Sequence, residues 1–261
     1  MKVLLLSILI GFSINACPAI TYVSDGLSGQ GFASRYWDCC KPSCSWTDNA
    51  GSGNEARECD VNQKVITDKS TKSICDDDGG TSYTCLSQYP FTLNGCSNIG
   101  FAYAAVPAAG AKVCGRCFEL SFTGEGKYET KLNHQKLKGK KLIVMATNIG
   151  SDVEGGQFDV MIPGGGVGIF NGCGNLFDTS NTEQYGGLLS DCEKSVGYDG
   201  SDEDIYKKRK ECLIKKCSSV FSKRLPAKMG CLFLANFMEA AGNPLHTYKE
   251  VNCPDALKKR Y

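Results

Sequence analysis

Sixteen cysteines in a chain of 261 residues limit the possible folds more than any other feature of the sequence. A zinc site would need several ligands at fixed spacing. Cys114 and Cys117 have C-x-x-C spacing, but no second such pair follows, and neither histidine, His134 or His246, lies near a cysteine pair. Disulfide bonds are therefore the favoured interpretation, although spacing alone leaves their connectivity open.

Residues 1–16 have the composition of a secretory leader. Lys2 supplies a positive charge, an apolar run follows from Val3 to Ile10, and small and polar residues lead to Ala16. The apolar run is too short to cross a bilayer as a helix. We predict a signal peptide over 1–16, a secreted, extracellular protein, and a single domain over 17–261.

The charge balance excludes some partners. The chain has 29 Lys and Arg against 28 Asp and Glu, so no net field draws it to nucleic acid or to a membrane surface. We expect neither partner, and a monomer is the default expectation.

Short strands dominate the pattern. Residues 118–122 alternate apolar and polar side chains, residues 142–146 form a continuous apolar run, and residues 158–162 form another with an aspartate inside it. Thirty glycines favour turns and irregular connections. This pattern predicts a mainly β fold with a β-barrel core rather than a helical bundle.

Two helices are predicted late in the chain. From Asp202 to Phe221 the apolar residues fall on one side, and three acids stand at the start, where they suit the helix dipole. The basic residues along this segment are typical of a solvated helix face. A second, short helix is predicted from Phe233 to Ala241.

The sequence offers little for nucleophilic catalysis or phosphate binding. A serine or cysteine nucleophile needs a histidine base, and both histidines are predicted to lie in exposed loops. Gly164 to Gly168 lacks the lysine and Ser/Thr of a phosphate loop and is read as a tight backbone passage. Asp76, Asp77 and Asp78 lack the alternation of a calcium loop and are read as a solvated turn.

Two aspartates remain as candidates for acid–base chemistry. Asp159 sits inside an apolar strand, where poor solvation should raise its pKa, as a general acid requires. Asp38 lies between an aromatic pair and a cysteine pair and, if better hydrated, would stay ionised and act as a base. Two carboxyl groups of different pKa are typical of glycosidic bond hydrolysis, although an ordinary loop acid beside a disulfide is the alternative for Asp38.

Two segments resemble the signatures of the glycoside hydrolase family 45 endoglucanases. They are RYWDCCKPSCSW at residues 35–46 and QFDVMIPGGGVGIFNGC at residues 157–173. Weaker matches are CGRCFELSFTG at 114–124, YGGL at 185–188 and VNCPDAL at 251–257. The similarity covers nearly all of the chain after the leader, in the family's order.

The resemblance implies a six-stranded double-psi β-barrel with long disulfide-linked loops, a few short helices and a long substrate groove. It implies endo-hydrolysis of β-1,4-glucan with inversion, no metal and no organic cofactor. Asp38 falls on the family's general base and Asp159 on its general acid. Asp152 matches a further family aspartate on a loop over the cleft. Three aromatic residues fall on or near sugar-binding positions: Tyr36, Trp46 and Tyr185.

Some positions depart from the family pattern. Gln157 stands where many members have histidine, which changes a hydrogen-bond partner near the acid. Asn171 stands where aspartate is common. Gly115 occupies a usual cysteine position, so Cys253 would lack its common partner there. Cys96, Cys212 and Cys217 look additional, and the helix around Cys212 looks inserted. We expect Cys39 to pair with Cys173.

Two other classes remain open on the same barrel. A non-hydrolytic, expansin-like wall-loosening protein resembles this fold and keeps the acid-type FD motif, but it lacks the base aspartate. The presence of Asp38 disfavours that class. A lectin-like or defence-related binder would need neither acid.

Overall fold

The computed structural model describes residues 17–107, 112–179 and 182–261, so the predicted leader at 1–16 lies outside the described residues. Ten strands are found there: β1 Ser28–Tyr36, β2 Glu58–Cys59, β3 Val65–Ile66, β4 Tyr83–Thr84, β5 Phe91–Thr92, β6 Ile99–Pro107, β7 Cys117–Gly126, β8 Lys141–Gly150, β9 Phe158–Met161 and β10 Pro244–Val251. The α-helices are α1 Thr47–Ala50, α2 Leu132–Gln135, α3 Gly187–Val196, α4 Asp202–Val220, α5 Leu225–Asn236 and α6 Asp255–Lys258. Short 3₁₀ helices cover Ser43–Ser45, Leu86–Gln88 and Cys173–Asn175.

Six of the strands close into a barrel. Their order is β6-β8-β7-β10-β1-β9, and β9 pairs back to β6. The pairs β6–β8 and β1–β9 are parallel, and the other four are antiparallel. The predicted mainly β fold with a six-stranded barrel is confirmed, and closure leaves few free sheet edges.

The barrel interior is filled by the predicted apolar strands. Every residue of the run 142–146 is buried, including Leu142, Ile143 and Val144 at 0% exposure. Leu120 of β7 and Val160 of β9 are buried in the same core. Burying one such side chain stabilises the fold by roughly 1.5–3 kcal/mol.

The first predicted helix is confirmed and the second was misplaced. Helix α4 runs from Asp202 to Val220, and the side chain of Ser201 caps it by accepting a hydrogen bond from the amide of Asp204. The prediction of a helix from Phe233 to Ala241 was wrong at both ends, since α5 covers Leu225–Asn236. Glu239 and Ala240 have positive φ angles, which an α-helix cannot contain.

Both histidines are buried, so the prediction of exposed loops was wrong. His134 lies in α2, and its Nε2 lies 2.8 Å from the carbonyl oxygen of Gly242. His246 lies in β10 and contacts the ring of Phe158 inside the barrel. The sequence around His246 is largely polar because β10 is a strand in which only alternate residues face the core.

The described cysteines form eight disulfides and none is free. Cys39 pairs with Cys173, as expected. Cys253 is bonded to Cys117. The other bonds are Cys17–Cys96, Cys40–Cys75, Cys44–Cys114, Cys59–Cys85, Cys192–Cys212 and Cys217–Cys231. The last two tie α4 to α3 and α5. Among the described helices, none has the length and apolarity needed to cross a membrane.

Candidate active site

An open groove runs over one side of the barrel and contains both candidate carboxyl groups. It consists of two adjoining depressions of about 430 and 320 Å³, which share Tyr36, Asp152, Asp159 and Gly168. Asp38 lines the smaller depression. We call the two together the substrate groove. Every site residue predicted from the sequence lines it: Tyr36, Asp38, Trp46, Asp152, Asp159 and Tyr185.

Asp38 follows the end of β1 and is held by its neighbours. Its Oδ1 accepts a hydrogen bond from the amide of Cys40 at 2.9 Å. Its carbonyl oxygen accepts one from the amide of Gly172 at 2.8 Å. Cys39 has a φ of 67°, a strained value for a residue with a side chain, and its disulfide to Cys173 fixes it there. The cysteines beside Asp38 therefore hold it in place.

Asp159 lies inside β9, opposite Ser34 of β1 in the parallel register. The hydroxyl of Ser34 donates a hydrogen bond to Asp159 Oδ1 at 2.6 Å. The side-chain amide of Gln157 donates in turn to Ser34 Oγ at 2.7 Å. Gln157 is fixed because its Oε1 accepts from the amide of Glu154. A chain of hydrogen bonds thus orients the carboxyl group of Asp159.

Burial raises the pKa of both carboxyl groups. The pKa of Asp159 rises to about 6, with the negative charge of Asp152 adding to the effect of burial, while the Ser34 bond and the Arg35 charge lower it. The pKa of Asp38 rises to about 7, mainly through burial, with the charges of Asp159 and Asp152 adding to the rise and the hydrogen bond from the amide of Cys40 opposing it. Asp38 is thus not the better hydrated of the two, and the condition on which it would stay ionised in the free protein is not met.

The two groups titrate as an interacting pair. Because ionised Asp159 disfavours the ionisation of Asp38, the pair holds about one proton between pH 6 and pH 7. One protonated and one ionised carboxyl group are what acid–base cleavage of a glycosidic bond needs. Among the described residues, no group of three or more His, Cys, Asp or Glu is placed to hold a metal ion.

The aromatic residues of the groove differ in how firmly they are held. The hydroxyl of Tyr36 accepts a hydrogen bond from Asn148 Nδ2 at 3.1 Å. Lys41 Nζ lies 3.4 Å from the ring centre of Trp46. Tyr185 is 66% exposed at the rim, where its only support is a backbone bridge to Gly166 among the described contacts. Tyr36 and Trp46 are therefore held more firmly than Tyr185.

The sequence did not predict that a buried ion pair lies against Trp46. Lys41 forms an ion pair with Glu58 at 3.1 Å, and both side chains are fully buried. Lys69 also approaches Glu58, at 3.4 Å. The ammonium group of Lys41, which is paired with Glu58, packs against one face of the Trp46 indole ring. Nothing in the local pattern distinguishes Lys41 from a surface lysine.

Other missed residues line the groove. They are Ser34, Tyr128, Asn148, Gln184, Ile169 and Phe170. Ser34 could have been found by alternation, since Ser34, Tyr36 and Asp38 are two residues apart and share one face of an extended chain. Tyr128, which is strongly exposed, follows the end of β7 and carries no local signal for sugar binding.

The glycine run from Gly164 to Gly168 is a close backbone passage, as predicted. The carbonyl oxygen of Gly166 accepts a hydrogen bond from the amide of Trp37 at 2.7 Å. A Cβ atom at Gly165 would lie 2.9 Å from the amide nitrogen of Tyr36. The run therefore packs directly on the segment that leads to Asp38.

Comparisons with known proteins point to one family. The sequence model described as "Glycosyl hydrolase family 45" matches residues 30–202. "Endoglucanase B" of Cellvibrio japonicus is 42% identical over 238 residues, which are 88% of this chain and 45% of that protein. The chain thus spans less than half the length of that relative. "Endoglucanase" of Cryptopygus antarcticus is 35% identical over 93% of this chain and 92% of that protein.

A solved structure supports the same likeness. The crystal structure of a cellulase from the Antarctic springtail Cryptopygus antarcticus superimposes with a TM-score of 0.68 at 34% identity. The match covers 90% of this chain and 96% of that one. The likeness therefore extends over most of both chains.

Proposed function

Because this chain belongs to glycosyl hydrolase family 45, we propose that it is a secreted endoglucanase that hydrolyses internal β-1,4-glucosidic bonds of cellulose and related β-glucans. The observation that carries the proposal is the pair Asp38 and Asp159 in one open groove, each with a pKa raised toward neutrality. A groove open at the surface suits cleavage within a long polymer.

The proposed reaction is a single displacement with inversion. Ionised Asp38 removes a proton from a water molecule as its oxygen attacks the anomeric carbon. Protonated Asp159 gives its proton to the glycosidic oxygen as the C–O bond breaks. The products are a new reducing end, with the α configuration at first, and a chain with a free 4-hydroxyl. Inverting pairs stand roughly 6.5–9.5 Å apart to admit the water.

In the free protein the pKa of Asp159, the proposed acid, is lower than that of Asp38, the proposed base. This order is compatible with the proposed roles. A sugar in the groove displaces water from around Asp159, which favours its protonated form. The transition state carries positive charge near the anomeric carbon, and that charge favours the ionised form of Asp38. Substrate therefore drives the shared proton toward Asp159.

The remaining groove residues have supporting roles in this proposal. Asp152, exposed on the loop after β8, raises the pKa of Asp159 by its charge and keeps the acid protonated. Tyr36 and Trp46 stack on the apolar faces of glucose rings. Tyr185 extends the groove at its rim.

The first test compares matched Asp→Asn variants. Release of reducing ends from barley β-glucan should fall by about 10²–10⁴-fold in Asp159→Asn and in Asp38→Asn, since each removes one proton-transfer group. Asp199→Asn, at an exposed position outside the groove, is the control and should match the parent protein. No release by the parent protein would refute the hydrolase proposal and favour a binder or a wall-loosening protein.

Stereochemistry is tested separately. Proton NMR during early hydrolysis of cellohexaose should show the α-anomer at the new reducing end before mutarotation. An initial β-anomer would contradict inversion while leaving the endoglucanase activity intact.

A further inference from the structure

A second groove, away from the catalytic pair, is lined by basic side chains. It has a volume of about 680 Å³ and contains four cationic residues: Arg57, Lys223, Arg224 and Arg260. We call it the basic groove. No Asp or Glu is among the described residues that line it, and it shares none of them with the substrate groove. In a chain of nearly balanced charge, this is a local concentration of positive potential.

The four cations lack acidic partners. Within the described part of the chain none of them forms an ion pair, whereas nearby Lys41 and Lys69 share Glu58. The guanidinium group of Arg260 lies 3.9 Å from the ring centre of Phe91, which holds it in place. Arg57 and Arg260 each donate one hydrogen bond to a backbone carbonyl, of Lys259 and of Ser87. The remaining N–H groups of the guanidinium forks are suited to carboxylates and other oxyanions.

Two further features of the basic groove also present hydrogen-bond donors. Helix α5 begins there, its N-cap Arg224 makes no side-chain capping bond, and no acid lies in its first turn. The positive end of that helix is therefore not compensated. Gln63 accepts from the amide of Leu86, and its buried Nε2 is left without a partner in the described structure.

The rim adds an apolar strip. Val65 and Leu225 are exposed, and Tyr89 lines the same groove. Sugar rings present apolar C–H faces that pack on such surfaces, so the combination fits a polymer with both sugar faces and negative charges. We propose that the basic groove is a binding site for an acidic polysaccharide, with the carboxylates of uronic acid residues held by the four cations.

This site is independent of the catalytic proposal because it binds a charged polymer outside the substrate groove. Calorimetric titration of the full protein with hexagalacturonate at low salt should show binding that weakens as salt is added. The double variant Lys223→Ala/Arg224→Ala should lower the affinity by about tenfold or more, since it removes two charge-assisted contacts. Asp159→Asn should bind with unchanged affinity.

Matched controls separate this site from general charge effects. Lys208→Ala/Lys215→Ala removes two exposed lysines of α4 that lie outside the basic groove, and it should retain the parent affinity. The methyl ester of hexagalacturonate, which lacks the charges, should not bind. Equal loss in both double variants, binding of the ester, tighter binding of an oligonucleotide of equal charge, or no binding at all would each overturn the proposal.

Discussion

Replacing Ser34 with alanine should change the pH dependence of catalysis in a direction that the structure fixes. The Ser34 hydroxyl donates to Asp159 at 2.6 Å, and this bond lowers the pKa of that carboxyl group. A hydrogen bond to the carboxylate favours the ionised form, so its removal must raise the pKa of Asp159. If Asp159 is the general acid, activity is lost on the alkaline side as it ionises.

The size of the pKa shift follows from the strength of the hydrogen bond between Ser34 and Asp159. A hydrogen bond to a charged group contributes about 1.5–3 kcal/mol, and about 1.36 kcal/mol corresponds to one pKa unit. Loss of this hydrogen bond should therefore raise the pKa of Asp159 by on the order of 1–2. Because Asp38 and Asp159 titrate together, the alkaline limb belongs to the pair and should move by less, about one unit upward.

The assay is the pH profile of kcat/KM on a soluble β-glucan from pH 4 to pH 9, with thermal unfolding checked at each pH. Gln157→Ala should move the alkaline limb in the same direction but less, since Gln157 acts only through the Ser34 hydroxyl. Ser151→Ala is the control, because Ser151 lines the same groove and its hydroxyl makes no hydrogen bond to a described residue.

Two results would refute the reasoning. An alkaline limb that stays in place in Ser34→Ala would mean that the bond does not tune the acid. A limb that moves to lower pH would mean that Asp159 is not the group whose ionisation ends activity. A uniform loss of kcat with an unchanged profile would indicate only a structural role for Ser34.

Three further predictions concern stability and substrate affinity. Burial lowers the pKa of His246 to about 4, so its stabilising contribution is complete above pH 6.5 and is lost as the pH falls toward 4. His246→Phe should reduce the loss of unfolding free energy between pH 7 and pH 4 by up to about 3 kcal/mol, as measured by urea unfolding at both pH values. If the variant loses as much stability between these pH values as the parent protein, the prediction is contradicted. Replacing both Cys39 and Cys173 with alanine should lower the free energy of unfolding by about 2–5 kcal/mol and reduce kcat, because it releases the segment beside Asp38, the proposed base. Full activity would show that the disulfide does not position Asp38. Trp46→Ala should raise KM for cello-oligosaccharides about tenfold, with kcat changing less, whereas equal effects on both would argue against a stacking role.

The sequence predicted those parts of the fold whose structure is determined by a local sequence pattern. The apolar run 142–146 does not alternate with polar residues, and all five of its side chains are buried in β8. Asp159 was found for the same reason, as one acid inside an apolar strand. Helix α4 was placed within one residue because its cap and first-turn acids are local features. Pro226 in the first turn of α5 is likewise a local signal for the start of that helix.

Other features depend on partners far along the chain. The bond from Ser34 to Asp159 joins residues 125 positions apart and needs the β1–β9 register. The burial of His246 depends on which face of β10 meets the core. The poor hydration of Asp38 arises from the fold around it and not from its sequence neighbours. Sequence therefore predicts the type of site, while its proton affinities come from packing.

Strand geometry bears on the stereochemistry of the proposed reaction. From Ser34 to Cys40, intermediate and buried residues alternate, which indicates an extended chain through Asp38 with Ser34 and Asp38 on one face. Ser34 is level with Asp159, so four residues place the Cα of Asp38 about 13 Å further along. Two aspartate side chains directed toward each other close about 5 Å of that span, which leaves the carboxyl groups roughly 8 Å apart along the strand direction. A retaining pair stands about 5 Å apart, so the offset between these two parallel strands favours a water molecule between acid and base, and hence inversion.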